Sequence, residues 1–589
     1  MKGKKILALV LATITVCCFS SCEQAEETTQ VNTAEMNEKA PDYGAYTDQF
    51  DFYGYSGPSN GTWKVNGETQ TAGQDFRTVE RFKEYKDAGM TIWLPQSSAR
   101  ITRNFGGSAK PGYVNPKDES DVWDEDVWTE RETEWQSIKT YWDNAYEAGL
   151  EKIIITDVQI QQWSNVYHGM LIGEGEGYTF ESEAELDATL EKMLEPYINH
   201  EAFYGIMLFD EPSYAAVQSY GQMYRALKRV AKDKYDKDIF VQHNLLPMRE
   251  YGQGAYSMMP LLEWFDEKED TVSQKEYYDL VGGVTADQET TPQEQLALIQ
   301  EAELAAYNND KTEVACQKYA KYIEAYIDSM GSDYIQYDDY PMRGTEKESS
   351  VLKQYIRNLQ LVADIAKEKG VKFYNVTQTY ATENPSLGTT MHAVCDEKDA
   401  RWLNNMILGF GVKQIVYFTY WAKGDDTDTY KHIDAGSFMT KYGEKTDLYF
   451  IMQQIMKENQ TFAPTILQFE YQGSCSYTVK PTNFSSTHVG WVNNDYQFQK
   501  LQSVDVNKEI ALITELYDDD NARYMYMVQN IIDPVNKGSK AFQTTELTFA
   551  KGYQYAAVYR NGERTLEPLK NGKLVVKNAP GEAAFIIPY

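Results

Sequence analysis

Eight short apolar or aromatic runs, each separated from the next by a stretch of helical period, constrain this chain more than any other feature. They are Phe50 to Tyr55, Met90 to Leu94, Lys152 to Val158, Tyr204 to Phe209, Asp238 to Gln242, Asp333 to Tyr337, Lys372 to Thr377 and Gln414 to Thr419. Strands covered on both faces read as continuous apolar runs, and their alternation with helices marks repeated βα units around a parallel sheet. Eight units are the number that closes a ring, so the spacing predicts an α/β chain with a (β/α)8 TIM barrel over residues 47–459.

The intervening helices are legible from their period and their stops. Asp75 to Ala88 repeats Phe76, Val79, Phe82 and Tyr85 and ends at Gly89; Trp135 to Ala148 ends at Gly149, Leu352 to Lys369 at Gly370, and Arg401 to Leu408 at Gly409. Glycine is the residue that most readily ends a helix in the left-handed conformation. The insert from Leu245 to Gln317, with Trp264 and Phe265, is expected to cover the top of the barrel as a lid or wall.

Near Asn459 to Pro464 the period changes to alternation. Strands are expected at Leu467–Tyr471, Ala511–Tyr517, Tyr524–Ile531, Thr544–Phe549, Ala556–Arg560, Lys573–Val576 and Ala583–Ile587, with turns at Asp518–Asn521 and Asn561-Gly562. Residues 460–589 are therefore read as a C-terminal antiparallel β-sandwich.

The first residues set the compartment. Lys2, Lys4 and Lys5 precede the apolar run Ile6 to Cys18 and then Phe19-Ser20-Ser21-Cys22. This is the layout of a secretory signal peptide, with an apolar stretch shorter than the roughly 20 residues of a spanning helix. Small residues before a cysteine resemble a bacterial lipobox, which makes residues 1–22 a lipoprotein signal peptide and Cys22 the lipidated residue. Cleavage by a general signal peptidase near Ser21 is the alternative, and both lead to export. Residues 23–46 are polar and acidic and read as a disordered linker. The expected location is the surface or outer membrane face of a bacterium.

With 56 Lys and Arg against 88 Asp and Glu, the net charge is −32. Nucleic acid is excluded as a partner on electrostatic grounds, and a membrane is met only through the lipid anchor. Cys316, Cys395 and Cys475 form neither a disulfide framework nor a metal pattern, and the six histidines include no HExxH. Neither a metal nor a cofactor is expected. Aromatic residues make up 13% of the chain, 45 of them Tyr, and rings with one polar edge suit sugar faces and wet clefts.

Chemistry in a barrel of this kind sits at the C-terminal ends of the strands. The fourth run ends Phe209-Asp210-Glu211-Pro212 and the sixth ends Tyr337-Asp338-Asp339-Tyr340, so each offers two adjacent carboxylates. Glycoside hydrolysis needs such a provision: one acid to protonate the leaving oxygen, and a second carboxylate as nucleophile or base. Asp210, Glu211, Asp338 and Asp339 are the catalytic candidates. Gln96, Asp157, His243, Asn244, Gln378, Tyr340 and Trp421, after or near other strand ends, are the candidates for holding a carbohydrate substrate.

The Glu at the end of strand four resembles the acid/base residue of clan A glycoside hydrolases, with Glu211 at the matching position and Asp210 where that clan has Asn. The clan's nucleophilic Glu ends strand seven, where this chain carries Gln378. Trp421, after strand eight, matches a position where the clan stacks an aromatic ring on the sugar. The Asp-Glu-Pro string also resembles the β-N-acetylgalactosaminidases of family 123, which implies that Asp210 orients a substrate acetamido group and Glu211 is the acid.

Two pairings stay open: Glu211 or Asp210 with Asp338 or Asp339, or substrate assistance through Asp210 and Glu211. The leading reading is an exported glycoside hydrolase with Glu211 as general acid in an apolar setting. A non-catalytic carbohydrate-binding lipoprotein is the alternative, and a lyase or isomerase acting on sugars is the third.

Overall fold

The computed structural model describes residues 32–95, 98–166, 171–173, 178–248, 312–344, 349–478, 495–506, 510–531 and 542–589. The signal peptide, Cys22, Gln96 and most of the expected lid, residues 249–311, lie outside the described residues.

All eight expected strands form: β1 (Asp51–Gly54), β2 (Ile92–Trp93), β3 (Lys152–Thr156), β4 (Phe203–Asp210), β5 (Phe240–Asn244), β6 (Tyr334–Asp338), β7 (Lys372–Gln378) and β8 (Gln414–Phe418). Each is followed by at least one helix before the next, the last being Asp447–Ile466. β1, β8, β7 and β6 make one four-stranded sheet and β2, β3, β4 and β5 another, every pair parallel. The sheets meet at both edges. Thr91 N donates to Phe52 O (2.8 Å) between β1 and β2, and Leu245 N donates to Gln336 O (3.0 Å) between β5 and β6. The strands thus follow one another in cyclic order, each hydrogen-bonded to its neighbours. Tyr53, Ile92, Ile154, Met207, Val376 and Val416 fill the space that the ring encloses.

Parallel strands bring all their C-terminal ends to one face, so this connectivity assembles the site. Gly89, Gly149 and Gly370 stop their helices with φ of 109°, 88° and 67°. The expected stop at Gly409 is corrected: the helix Glu397–Gly409 includes it, and Gly411 (φ 79°) makes the turn. Gly409 is small for another reason, since a Cβ there would lie 2.2 Å from Met527 Sδ of the C-terminal sheets.

Those sheets are antiparallel. One runs Glu470–Thr478, Ile510–Asp518, Arg523–Asn530, Ala583–Pro588, Tyr555–Arg560, Glu563–Pro568, and the other Leu501–Val506, Gln543–Phe549, Lys573–Asn578. Ile513, Val528, Ala584 and Ile586 of the first meet Leu547, Phe549, Leu574 and Val576 of the second in one apolar core. Leu512, Met527, Phe585 and Ile587 point the other way and join the core of the ring. The expected boundary at 459/460 falls inside the helix Asp447–Ile466; Pro464 stands in its last turn, so the change of period is the end of this helix.

The expected linker also needs correction where it is described. Thr33–Lys39 is a helix with Met36 buried. Beyond it, Tyr43 is buried and donates to Asp518 Oδ2 (2.7 Å), Arg564 Nη2 donates to Pro41 O (2.6 Å), and Tyr589 OH donates to Met36 O (2.8 Å). Residues 32–46 are therefore a strap on the sheets, because Met36 and Tyr43 supply apolar anchors within an otherwise polar stretch.

Candidate active site

Asp210 closes β4 and Glu211 follows it with φ 50°. That left-handed conformation is costly outside glycine, and backbone strain of this kind collects at functional sites. Glu211 N donates to Asn244 O (2.9 Å), which fixes the turn, and the Glu211 side chain is exposed at the ring's C-terminal face. Asn244, the last residue of β5, also donates from Nδ2 to Asp210 Oδ1 (3.0 Å). Its own Oδ1 is buried with no hydrogen-bond partner among the described residues.

Asp338 ends β6 and is 3% exposed. Its carboxyl is hydrogen-bonded to the Glu211 carboxyl and to the Tyr340 hydroxyl. Burial first, and then the charges of Glu211 and Asp210, push Asp338 well above the usual carboxylate range. Two carboxyls can share a hydrogen bond only when one of them carries a proton, so the Glu211–Asp338 pair holds one proton between them. Asp210 is raised too, by burial, but Asn244, Lys423 and Tyr55 all act in the opposite sense. Both Asp338 and Asp210 are thus shifted upward, Asp210 with three neighbours acting against the shift.

Lys423, in the segment after β8, faces Asp210 and Glu211 electrostatically while its ammonium lies 4.5 Å from the Phe418 ring centroid. Burial lowers its pKa, against the opposing pull of Asp210, Asp425 and Glu211. Phe418 and Tyr340 stand 5.3 Å apart, centroid to centroid, with Tyr380 edge-on to both. Three carboxyls, one cation and a cluster of rings therefore converge on one face. Among the described residues no group of three or more His, Cys, Asp or Glu is placed to hold a metal ion.

No family model and no curated protein matches this chain. Among solved structures it is similar to a family 27 β-L-arabinopyranosidase from Geobacillus stearothermophilus, at 7% identity over 93% of this chain and 97% of that one, TM-score 0.40. It is also similar to a glycoside hydrolase family 5 structure from Bacteroides vulgatus, at 9% identity over 92% and 89%, TM-score 0.39. A third is a family 30 endoxylanase from Clostridium papyrosolvens, at 10% identity over 93% and 98%, TM-score 0.34. Likenesses this distant carry no argument about activity, so the chemistry rests on the chain's own residues.

Of the residues named from sequence, Asp210, Glu211, Asp338, Asn244 and Tyr340 come together; the others described do not. Asp339 is buried and faces Tyr319, Tyr337 and Tyr355, on the helix side of β6. His243 lies stacked on Tyr334 (4.3 Å) and against Tyr224 of the helix Val217–Tyr235, with its pKa lowered to about 3 by burial. Asp157 is fully buried, paired with Arg131 and hydrogen-bonded by Tyr197 OH (3.2 Å) and Gln159 N (3.2 Å). Gln378 accepts from Met342 N (2.8 Å) and donates to Met342 O (3.2 Å) and Tyr380 O (3.1 Å), so its amide braces the loops. Trp421 is buried against Phe76 at 4.8 Å.

Sequence reasoning missed Tyr55, Tyr380, Phe418 and Lys423. The signal for Tyr55 and Phe418 was position alone, since each stands at or just past a strand's C-terminal end. Nothing local distinguishes Lys423 from any other loop lysine.

Proposed function

We propose that this chain is a glycoside hydrolase on a closed (β/α)8 barrel followed by a β-sandwich, with Glu211 delivering to the leaving oxygen the proton that it shares with Asp338. The contact between the Glu211 and Asp338 carboxyls, with Asp210 beside them, carries this reading. Carboxyls in hydrogen-bond contact are closer than the roughly 5–5.5 Å at which acid and nucleophile flank a bond in retaining enzymes. Glu211 and Asp338 are therefore one acid unit, and Asp338 is not its separate nucleophile. Asp210 is the remaining carboxyl of the cluster, and it either acts on the sugar directly or orients an acetamido group of the substrate. Tyr340 and Phe418 offer ring faces to the sugar.

The test is hydrolysis by residues 32–589 of a panel of aryl glycosides, N-acetylhexosaminides among them, alongside Glu211→Gln, Asp338→Asn and Asp210→Asn. Cleavage of one glycoside, with a loss of about 10²-fold or more in folded Glu211→Gln, supports the reading. Sugar binding without cleavage of these or of natural glycans replaces it with the non-catalytic one. One observation favours that second reading: β7 ends in a glutamine engaged in internal bonds, so no carboxylate faces Glu211 from there. Export with acylation of Cys22 belongs to the same proposal, and loss of fatty-acid labelling in Cys22→Ala is the expected result.

A further inference from the structure

We propose that the rings at the carboxyl site continue outward into a glycan-binding track, from Tyr340 and Phe418 past Lys423 to Trp63 and Tyr442, which holds a neutral sugar chain of several units. What the track feeds depends on the hydrolase reading; its existence depends on the contacts that follow. Trp63 lies in the hairpin Thr62–Val65 and Glu68–Thr71, within the segment after β1, and Tyr442 lies in the segment after β8. Both therefore stand on loops at the C-terminal face, with the carboxyls. The two loops are bonded to each other: Lys64 N donates to Gly424 O (3.1 Å) and Asn66 N to Asp426 O (2.7 Å). Their base is the buried contact of Trp421 with Phe76, and Gly443 presses on the same Phe76 ring, where a Cβ would lie 2.6 Å away.

The contacts form an unbroken line. Phe418 faces Tyr340 at 5.3 Å, and the Lys423 ammonium lies 4.5 Å from the Phe418 centroid. That ammonium makes no hydrogen bond or salt bridge among the described residues, which leaves its N–H donors for sugar hydroxyls. Gly424 comes next, and the Trp63 side chain packs on it so closely that a Cβ would lie 2.3 Å from Trp63 Cβ. Any larger residue there would lift the indole away from Lys423. Trp63 meets Tyr442 edge to face at 5.2 Å, and Tyr442, at 57%, is the most exposed aromatic side chain among the described residues. A lone exposed ring is ordinary on a protein surface. Rings set in line from a carboxyl site, on loops already packed in place, instead suit the faces of successive sugars. Around the outer rings the exposed charges are mixed in sign, Lys64 and Lys445 against Asp425 and Glu444, and the whole chain carries −32. No positive field draws an acidic glycan there, so a neutral one is favoured.

The test is affinity electrophoresis of the full chain carrying Glu211→Gln, which holds a glycan without cutting it, through gels containing neutral glucan, xylan, mannan or galactan, or anionic polygalacturonate. The expected result is retention by at least one neutral polysaccharide, with the Kd raised about tenfold by Trp63→Ala and by Tyr442→Ala. Phe542→Ala, which removes an exposed ring beside the C-terminal sheets, should leave retention as it is. Tyr442→Ala carries the test if Trp63→Ala fails to fold, since most of the Tyr442 side chain already stands in solvent. Retention kept in full by either folded ring variant, retention by polygalacturonate alone, or no retention at all overturns the proposal. Cleavage by the unmutated chain separates the two readings. If a neutral polysaccharide is held through both rings and neither it nor any aryl glycoside is cleaved, the track stands and the hydrolase reading falls. If aryl glycosides are cleaved through Glu211 while the ring variants hold polysaccharide as well as the parent, the track falls alone.

Discussion

At the end of β7 the Gln378 amide donates to two backbone carbonyls and accepts from a backbone amide, and an ionised carboxylate there has no proton to donate. Gln378→Glu is expected to cost about 1–3 kcal/mol in urea unfolding and to create no new hydrolysis. Asp338 gives a second expectation. Its raised pKa means that the folded chain keeps a proton which the unfolded chain releases above about pH 3.9. That contribution is complete below the unfolded value and is lost as pH rises through the folded one, because the native state then holds more protons than the unfolded. Asp338→Asn, which still donates to Glu211, should melt higher than the parent at pH 8 and near it at pH 4 in thermal scans. The same residues show why the site was half legible. Successive side chains in a strand face opposite sides, so Asp338 enters the site and Asp339 leaves it, and Asn244 enters while His243 leaves. Sequence proximity placed such neighbours together, and only the pleat separates them.

Among the elements, the eight ring strands were legible because strands buried on both faces leave unbroken apolar runs. Two strands of the C-terminal sheets were not: Leu501–Val506 and Glu563–Pro568 lie at sheet edges with most side chains exposed or half-exposed, so neither carries an apolar run. Close packing between elements leaves a different trace, a glycine with no turn to explain it. Gly205 in β4 is such a residue, for a Cβ would lie 1.9 Å from Phe240 O of β5. That atom is backbone and cannot swing aside. Gly205→Ala is expected to destabilise by at least about 1–3 kcal/mol, read as a lowered denaturant midpoint. Gly409→Ala meets the Met527 side chain instead, and shortening Met527 should recover most of its loss.

For the molecule as a whole, the ring and the C-terminal sheets share one apolar core, and the strap at residues 32–46 lies across the sheets. Deleting the strap should lower the melting temperature in calorimetry, since Tyr43 alone buries a large ring and truncating such a side chain costs about 3–5 kcal/mol. Its docking point also fixes a direction. Tyr43 packs on Phe469 at 5.7 Å, beside the place where Lys413 Nζ donates to Leu467 O (3.1 Å). Lys413 immediately precedes β8, whereas Phe418 and the carboxyls stand at the far end of the strands. From Cys22 to Asn32 the chain advances ten residues, a leash of at most about 35 Å. A lipid on Cys22, as proposed, would therefore keep Asn32 within about 35 Å of the bilayer, while the strap that begins there docks at the end of the strands opposite the carboxyls.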